Sequence, residues 1–122
     1  MNINLNKYNI FLFWNIGRNV YEKESLCENI IKKYSDYYSY YFGNSLLFTR
    51  ENIHLMKRLY LNFPIFHKKL ESISWEQYIL LLKVNNLKER RFYFYLSLLF
   101  HSNYEDTYEL IKNNYYLRLQ SL

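Results

Sequence analysis

Apolar and polar positions along this chain recur with the period of an α-helix, and no segment alternates strictly in the manner of a half-buried strand. The clearest run covers residues 48–64. Thr49 suits an N-cap, Glu51 places negative charge in the first turn, and Pro64 forbids clean continuation. Wound at 100° per residue, Ile53, Met56, Leu59, Tyr60 and Phe63 fall on one side. Arg50, His54, Lys57, Arg58 and Leu61 fall on the other. A helix over 49–63 is therefore predicted, held to a core by its apolar stripe, with a basic stripe facing out.

Similar signals divide the rest. A first helix is expected from about Leu5 to Lys23; its Ile10-Phe11-Leu12-Phe13-Trp14 run is apolar nearly all round, which suits a central position. Gly17, in mid-helix, costs stability relative to Ala and so suggests a close neighbour. Ser25 with Glu28 reads as a capping box for a second helix carrying Ile30, Ile31, Tyr34, Tyr37, Tyr38, Tyr41 and Phe42, closed by Gly43. A short helix is expected between Pro64 and about Leu70. Ser74 with Gln77, and Asn86 with Glu89, cap two further helices, and Asn103 starts the last, with Tyr104, Tyr108, Ile111 and Tyr115 on one face. The segment Phe92–Phe100 has almost no polar side and reads as a core helix or as the meeting point with another chain, with the core reading preferred. The prediction is an all-α fold of six to seven helices in a single domain over residues 1–122.

Composition narrows the function. The 122 residues include fifteen Tyr and nine Phe but no Ala, a bias that an AT-rich genome would produce. The net charge is +5, and all of the excess lies between residues 50 and 91, where nine Lys and Arg face four Glu. A local cationic excess attracts polyanions and rules out acidic mimicry of nucleic acid. The single cysteine, Cys27, allows no internal disulfide and sits in an apolar helical phase, so a buried, inert thiol in a reducing compartment is expected. No signal peptide or spanning segment is evident, which points to the cytoplasm without membrane contact. His54, His67 and His101 lie in separate elements, no His-x-x-x-His or Cys-x-x-Cys pair exists, and two glycines leave little room for a phosphate-cradling loop. No catalytic residue, metal or cofactor is expected.

Several words of the sequence together resemble one family. Trp14-Asn15-Ile16-Gly17 resembles the W-x-I-G motif that opens the helical N-terminal domain of YhcG-type PD-(D/E)XK nucleases. Arg50, Asn52, Met56, Tyr60 and Pro64 resemble its R-N-L-x-x-M-x-x-F-Y-x-x-x-P helix, with spacing altered around Arg50. Ser74-Trp75 with Leu80-Leu81-Leu82, Glu89-Arg90 with Phe92-Tyr93, and Tyr116 with Arg118 resemble its later blocks, and Tyr104 stands where the family has tryptophan. The resemblance covers roughly residues 8 to 118 and rests on the order and spacing of these words. It implies a helical module, in one form helix-turn-helix-like, of undetermined function, that accompanies a nuclease domain in bacteria and mobile elements. The nuclease motif needs an acid two positions before a lysine, and no Asp or Glu here has Lys at that position. Glu76 and Gln77 stand where the family has its histidine positions, so no role for those carries over.

Two functions follow as expectations. The first is a non-catalytic DNA-binding module with helix 49–63 as reader. Arg50, His54, Lys57 and Arg58 would contact phosphates or base edges, and Lys88, Arg90 and Arg91 would grip the backbone. RNA is the alternative polymer, and dimerisation would enlarge a limited contact surface. The second is an interaction protein that docks on a nuclease or defence complex, an anti-CRISPR or anti-restriction inhibitor for example, through its tyrosine-rich surface.

Overall fold

The computed structural model describes residues 10–122. Seven α-helices follow in order: α1 (Ile10–Lys23), α2 (Ile30–Phe42), α3 (Arg50–Asn62), α4 (Trp75–Leu82), α5 (Leu87–Phe100), α6 (Tyr104–Lys112) and α7 (Tyr115–Gln120). A 3-10 turn, Lys68–Ser72, sits between α3 and α4, and the described residues contain no strand. The expected start of the first helix at Leu5 lies outside the described residues.

The caps explain most boundaries. The side chains of Thr49, Ser74, Asn86 and Asn103 each accept a hydrogen bond from the backbone N–H three residues on. Gly43 closes α2 in the left-handed region, with φ of 65°. The expected Ser25 box does not form. Leu26 and Cys27 instead donate their backbone N–H groups to the Lys23 carbonyl, the chain turns, and α2 opens only after Asn29, itself left-handed with φ of 59°. Cys27 is thereby placed in a turn and half-exposed, with the Lys33 Nζ 3.2 Å from its Sγ, rather than buried in a helix. The last predicted helix is also split, because Asn114 takes a left-handed conformation between α6 and α7.

The core centres on α1 and α3, the most extensively packed pair. Ile10, Phe13, Ile16 and Val20 of α1 and Ile53, Met56 and Leu59 of α3 are fully buried. Gly17 sets their separation: a Cβ there would lie 1.9 Å from the Met56 carbonyl oxygen. The Trp14 indole Nε1 donates to the Phe63 carbonyl at 2.7 Å, holding the end of α3 where Pro64 breaks it. Leu55, outside the predicted apolar stripe, is buried as well, because α4 covers α3 from a third side.

On α4, Tyr78 is fully buried, and its hydroxyl donates to the Leu70 carbonyl. Burial pushes its pKa well above the usual tyrosine range. The Gln77 side chain does not return to its cap. Its amide donates to the Ser102 carbonyl and the Thr107 hydroxyl, fastening α6 to α4. The segment Phe92–Phe100 buries only Tyr93, Phe94 and Ser97; Tyr95, Leu99 and Phe100 are 64%, 70% and 71% exposed. It is thus an edge helix with one core face, because α1 and α3 occupy the centre. Tyr37, Tyr41, Tyr104 and Tyr108, expected on inward faces, are also exposed. No described helix is long and apolar enough to cross a membrane.

Candidate nucleic-acid interface

The proposed reading helix is anchored before it can present anything. Beyond the Thr49 cap, the Asn52 side-chain amide donates to the carbonyls of Leu46 (3.3 Å) and Leu47 (2.9 Å), tying the preceding loop to the first turn of α3. Arg50 and His54 then stand exposed on its outer face. His54 lies between two open grooves. One, of about 440 Å³, is lined by Glu51, Leu55, Lys57, Arg58 and Leu61. The other, of about 540 Å³, is lined by Arg50 together with Glu24, Cys27, Glu28 and Lys32.

Three of the seven expected contact residues also bond within the fold. The Lys57 Nζ lies 2.7 Å from a Glu24 carboxylate oxygen, joining α3 to the turn after α1. Arg58 donates to the Leu82 carbonyl at 2.6 Å. Arg90 is 9% exposed and donates to the carbonyls of Val84 (2.8 Å) and Asn85 (3.3 Å) and to Asn62 Oδ1 (3.3 Å). Burial, and secondarily the nearby Arg58 guanidinium, lower the Arg90 pKa from its ordinary value. An arginine stays charged under such a shift, so the group must keep its acceptors. The physical reason is common to all three. Each sits where the carbonyls at the end of α4 or a carboxylate of the α1 turn need a donor, and a long cationic side chain reaches them while covering apolar surface.

These struts bring the two basic segments together. Arg58 and Arg90 fasten residues 82–85 to the C-terminal half of α3, and Lys83, not among the expected contacts, pairs with Glu51 at 3.2 Å. Lys83 is thereby placed beside the residue that follows Arg50. Lys88 and Arg91, on the first turns of α5, are exposed and have no acidic partner among the described residues. The outward cations of this edge are Arg50, Lys83, Lys88 and Arg91, with His54 between the grooves. Neither Glu24 as the partner of Lys57 nor the acceptor carbonyls had any signal in the sequence, since such pairings depend on how helices cross. Four residues, 83–86, join α4 to α5, whereas seven lead into α3. Among the described residues, no three His, Cys, Asp or Glu side chains are grouped closely enough to hold a metal ion.

The family model for the DUF1016 N-terminal domain matches residues 1–118. The chain belongs to that family. No curated protein and no solved structure matches it. In this DUF1016 N-terminal domain, several of the residues that carried the resemblance are framework parts, whereas Arg50 is exposed. Trp14 holds the end of α3, Gly17 admits the α3 backbone, Asn52 ties down the loop before α3, and Arg90 ties down the loop before α5. Membership therefore accounts for the fold and leaves the function to the surface.

Proposed function

We propose that this domain is a non-catalytic DNA-binding module, and that the nuclease it accompanies in related proteins is of the YhcG-type PD-(D/E)XK class. The observation that carries the reading is the junction of α3 with residues 82–91, which gathers cations from two separate stretches along one edge. Arg50, His54, Lys83, Lys88 and Arg91 make the contacts, while Lys57, Arg58 and Arg90 hold the edge in shape and add field without reaching the polymer. Guanidinium and ammonium groups on phosphates give affinity with little sequence choice.

Fluorescence anisotropy with a mixed-sequence duplex tests this. Four engaged phosphates would give a logarithmic salt slope of about −3.6, a loss of about two orders of magnitude between 50 and 200 mM salt. Arg50→Ala with Arg91→Ala reduces the slope by roughly 2 at unchanged thermal stability. Salt-independent affinity, or a double variant that binds as the parent does, refutes the reading.

A second reading is supported by the exposed Tyr95, Leu99 and Phe100 on α5, an apolar patch of the kind found at protein interfaces. In that reading the domain docks on a nuclease or defence complex, and it has no duplex affinity at low salt.

A further inference from the structure

At the C-terminal end of the basic edge, α3 and α5 enclose a pocket of about 210 Å³ lined by Asn62, Phe63, Arg91, Phe94, Tyr95 and Leu98. Its apolar walls are aromatic: the rings of Phe63 and Phe94 meet edge to face at 5.0 Å, a rigid pair at the junction of the two helices. Tyr95 is 64% exposed, and its ring pairs with no other aromatic ring among the described residues, although most of this chain's aromatic side chains do so. Arg91 stands one helical turn before Tyr95 and belongs both to the pocket and to the cationic edge. A free ring face, a slot that mixes aromatic and polar lining, and a guanidinium suit an unstacked nucleobase. The base stacks, its edge leaves water, and its own phosphate meets the cation.

We propose that this pocket receives an unpaired base, so that the preferred ligand is nucleic acid with extrahelical or single-stranded bases at or beside a duplex. The inference rests on the DNA-binding reading and names its substrate class. The occupant follows from continuity with the cationic edge. A backbone gripped by Lys88 and Arg91 runs past the mouth of the pocket, and a paired base inside an intact duplex cannot enter it.

The test compares anisotropy titrations of a labelled duplex with those of the same duplex carrying a central bulge of unpaired thymines. The parent domain is measured beside Tyr95→Ala and Tyr95→Phe. Tyr95 is exposed and makes no described hydrogen bond, so both variants should fold, which circular dichroism verifies. The expected result is a preference for the bulged duplex of about fivefold or more, the range for one stacked base. Tyr95→Ala abolishes the preference while intact-duplex affinity is unchanged, and Tyr95→Phe retains it. Equal affinity of the parent for both ligands, or a preference that survives Tyr95→Ala, overturns the pocket and leaves the duplex reading standing. So does equal weakening of both ligands by Tyr95→Ala, which would make Tyr95 an ordinary contact of the edge. Binding to neither ligand overturns both.

Discussion

Gly17→Ala adds one methyl group at the tightest contact in the core. The new Cβ would meet the Met56 carbonyl oxygen at 1.9 Å, its carbon at 2.4 Å and the Lys57 nitrogen at 2.8 Å. All three are backbone atoms, so no side chain can rotate away. An ordinary contact begins at 3.4 Å, so α1 and α3 would have to part by roughly 1.5 Å. That separation loosens the packing of Phe13, Ile16 and Val20 against Ile53, Met56 and Leu59, and gaps of this size forfeit about half of each dispersion contact or more. Overpacking costs about 1–3 kcal/mol where a site can adjust, and a backbone clash belongs at the top of that range or above it. Against it stands the gain of about 1 kcal/mol for Ala over Gly in a helix. A net loss of about 2–3 kcal/mol follows, a fall in Tm of roughly 8–12 °C for a chain of this length. Thermal melts by circular dichroism read it, with Gly43→Ala as the control. A methyl group at Gly43 would have no atom within 4 Å, but φ there is +65°, so its cost is conformational and about 1 kcal/mol. A Gly17→Ala protein that melts at or above the parent's temperature would refute the reasoning, since that is the behaviour of an exposed helical glycine.

Other expectations concern the struts and one buried tyrosine. Lys57→Ala with Arg58→Ala lowers stability by about 2–3 kcal/mol in urea titration, because it removes a partly exposed ion pair and a charged hydrogen bond to a carbonyl; an unchanged midpoint would show that both side chains are free. Arg90→Lys destabilises by about 2 kcal/mol despite keeping the charge, since one ammonium cannot serve Val84, Asn85 and Asn62 as the guanidinium does; parent-like stability would count against the strut. Tyr78 titrates near pH 10.0 when unfolded but keeps its proton in the fold. Above that pH the unfolded state binds fewer protons, so the contribution present below pH 10 is lost by about 1.4 kcal/mol per pH unit as pH rises. Tyr78→Phe should cost about 1–3 kcal/mol at neutral pH through the lost bond to Leu70, and should flatten the alkaline slope between pH 10 and 11.5 by that amount; identical slopes in the two proteins would exclude Tyr78 as its source.

Short-range physics made much of this fold readable from the chain. Thr49, Ser74, Asn86 and Asn103 cap because a side-chain oxygen finds a backbone N–H three residues on, a relation internal to four residues. Gly43, Pro64 and the helical spacing of Ile53, Met56 and Leu59 work over similarly short distances. Ser25 failed as a cap because the Lys23 carbonyl drew the next two N–H groups into a turn, a local competition that the pattern alone does not resolve. Tyrosines misled the reading of faces, since a ring with a hydroxyl is tolerated in water, and Tyr37, Tyr104 and Tyr108 kept helical spacing without being buried.

The basic edge divides the same way. The sequence by itself determined that the excess charge lies between residues 50 and 91, that α3 carries cations on one side, and that the regular elements are helices. Only the tertiary structure decided which cations remain free. Lys57, Arg58 and Arg90 are drawn in by Glu24 and by the carbonyls of residues 82–85, whereas Arg50, Lys88 and Arg91 face out. The pocket between α3 and α5 is likewise absent from either helix alone. Helix type and polarity are set by neighbours within a turn or two along the chain. The fate of a long charged side chain is set by whichever acceptor the crossing of two helices brings within its reach.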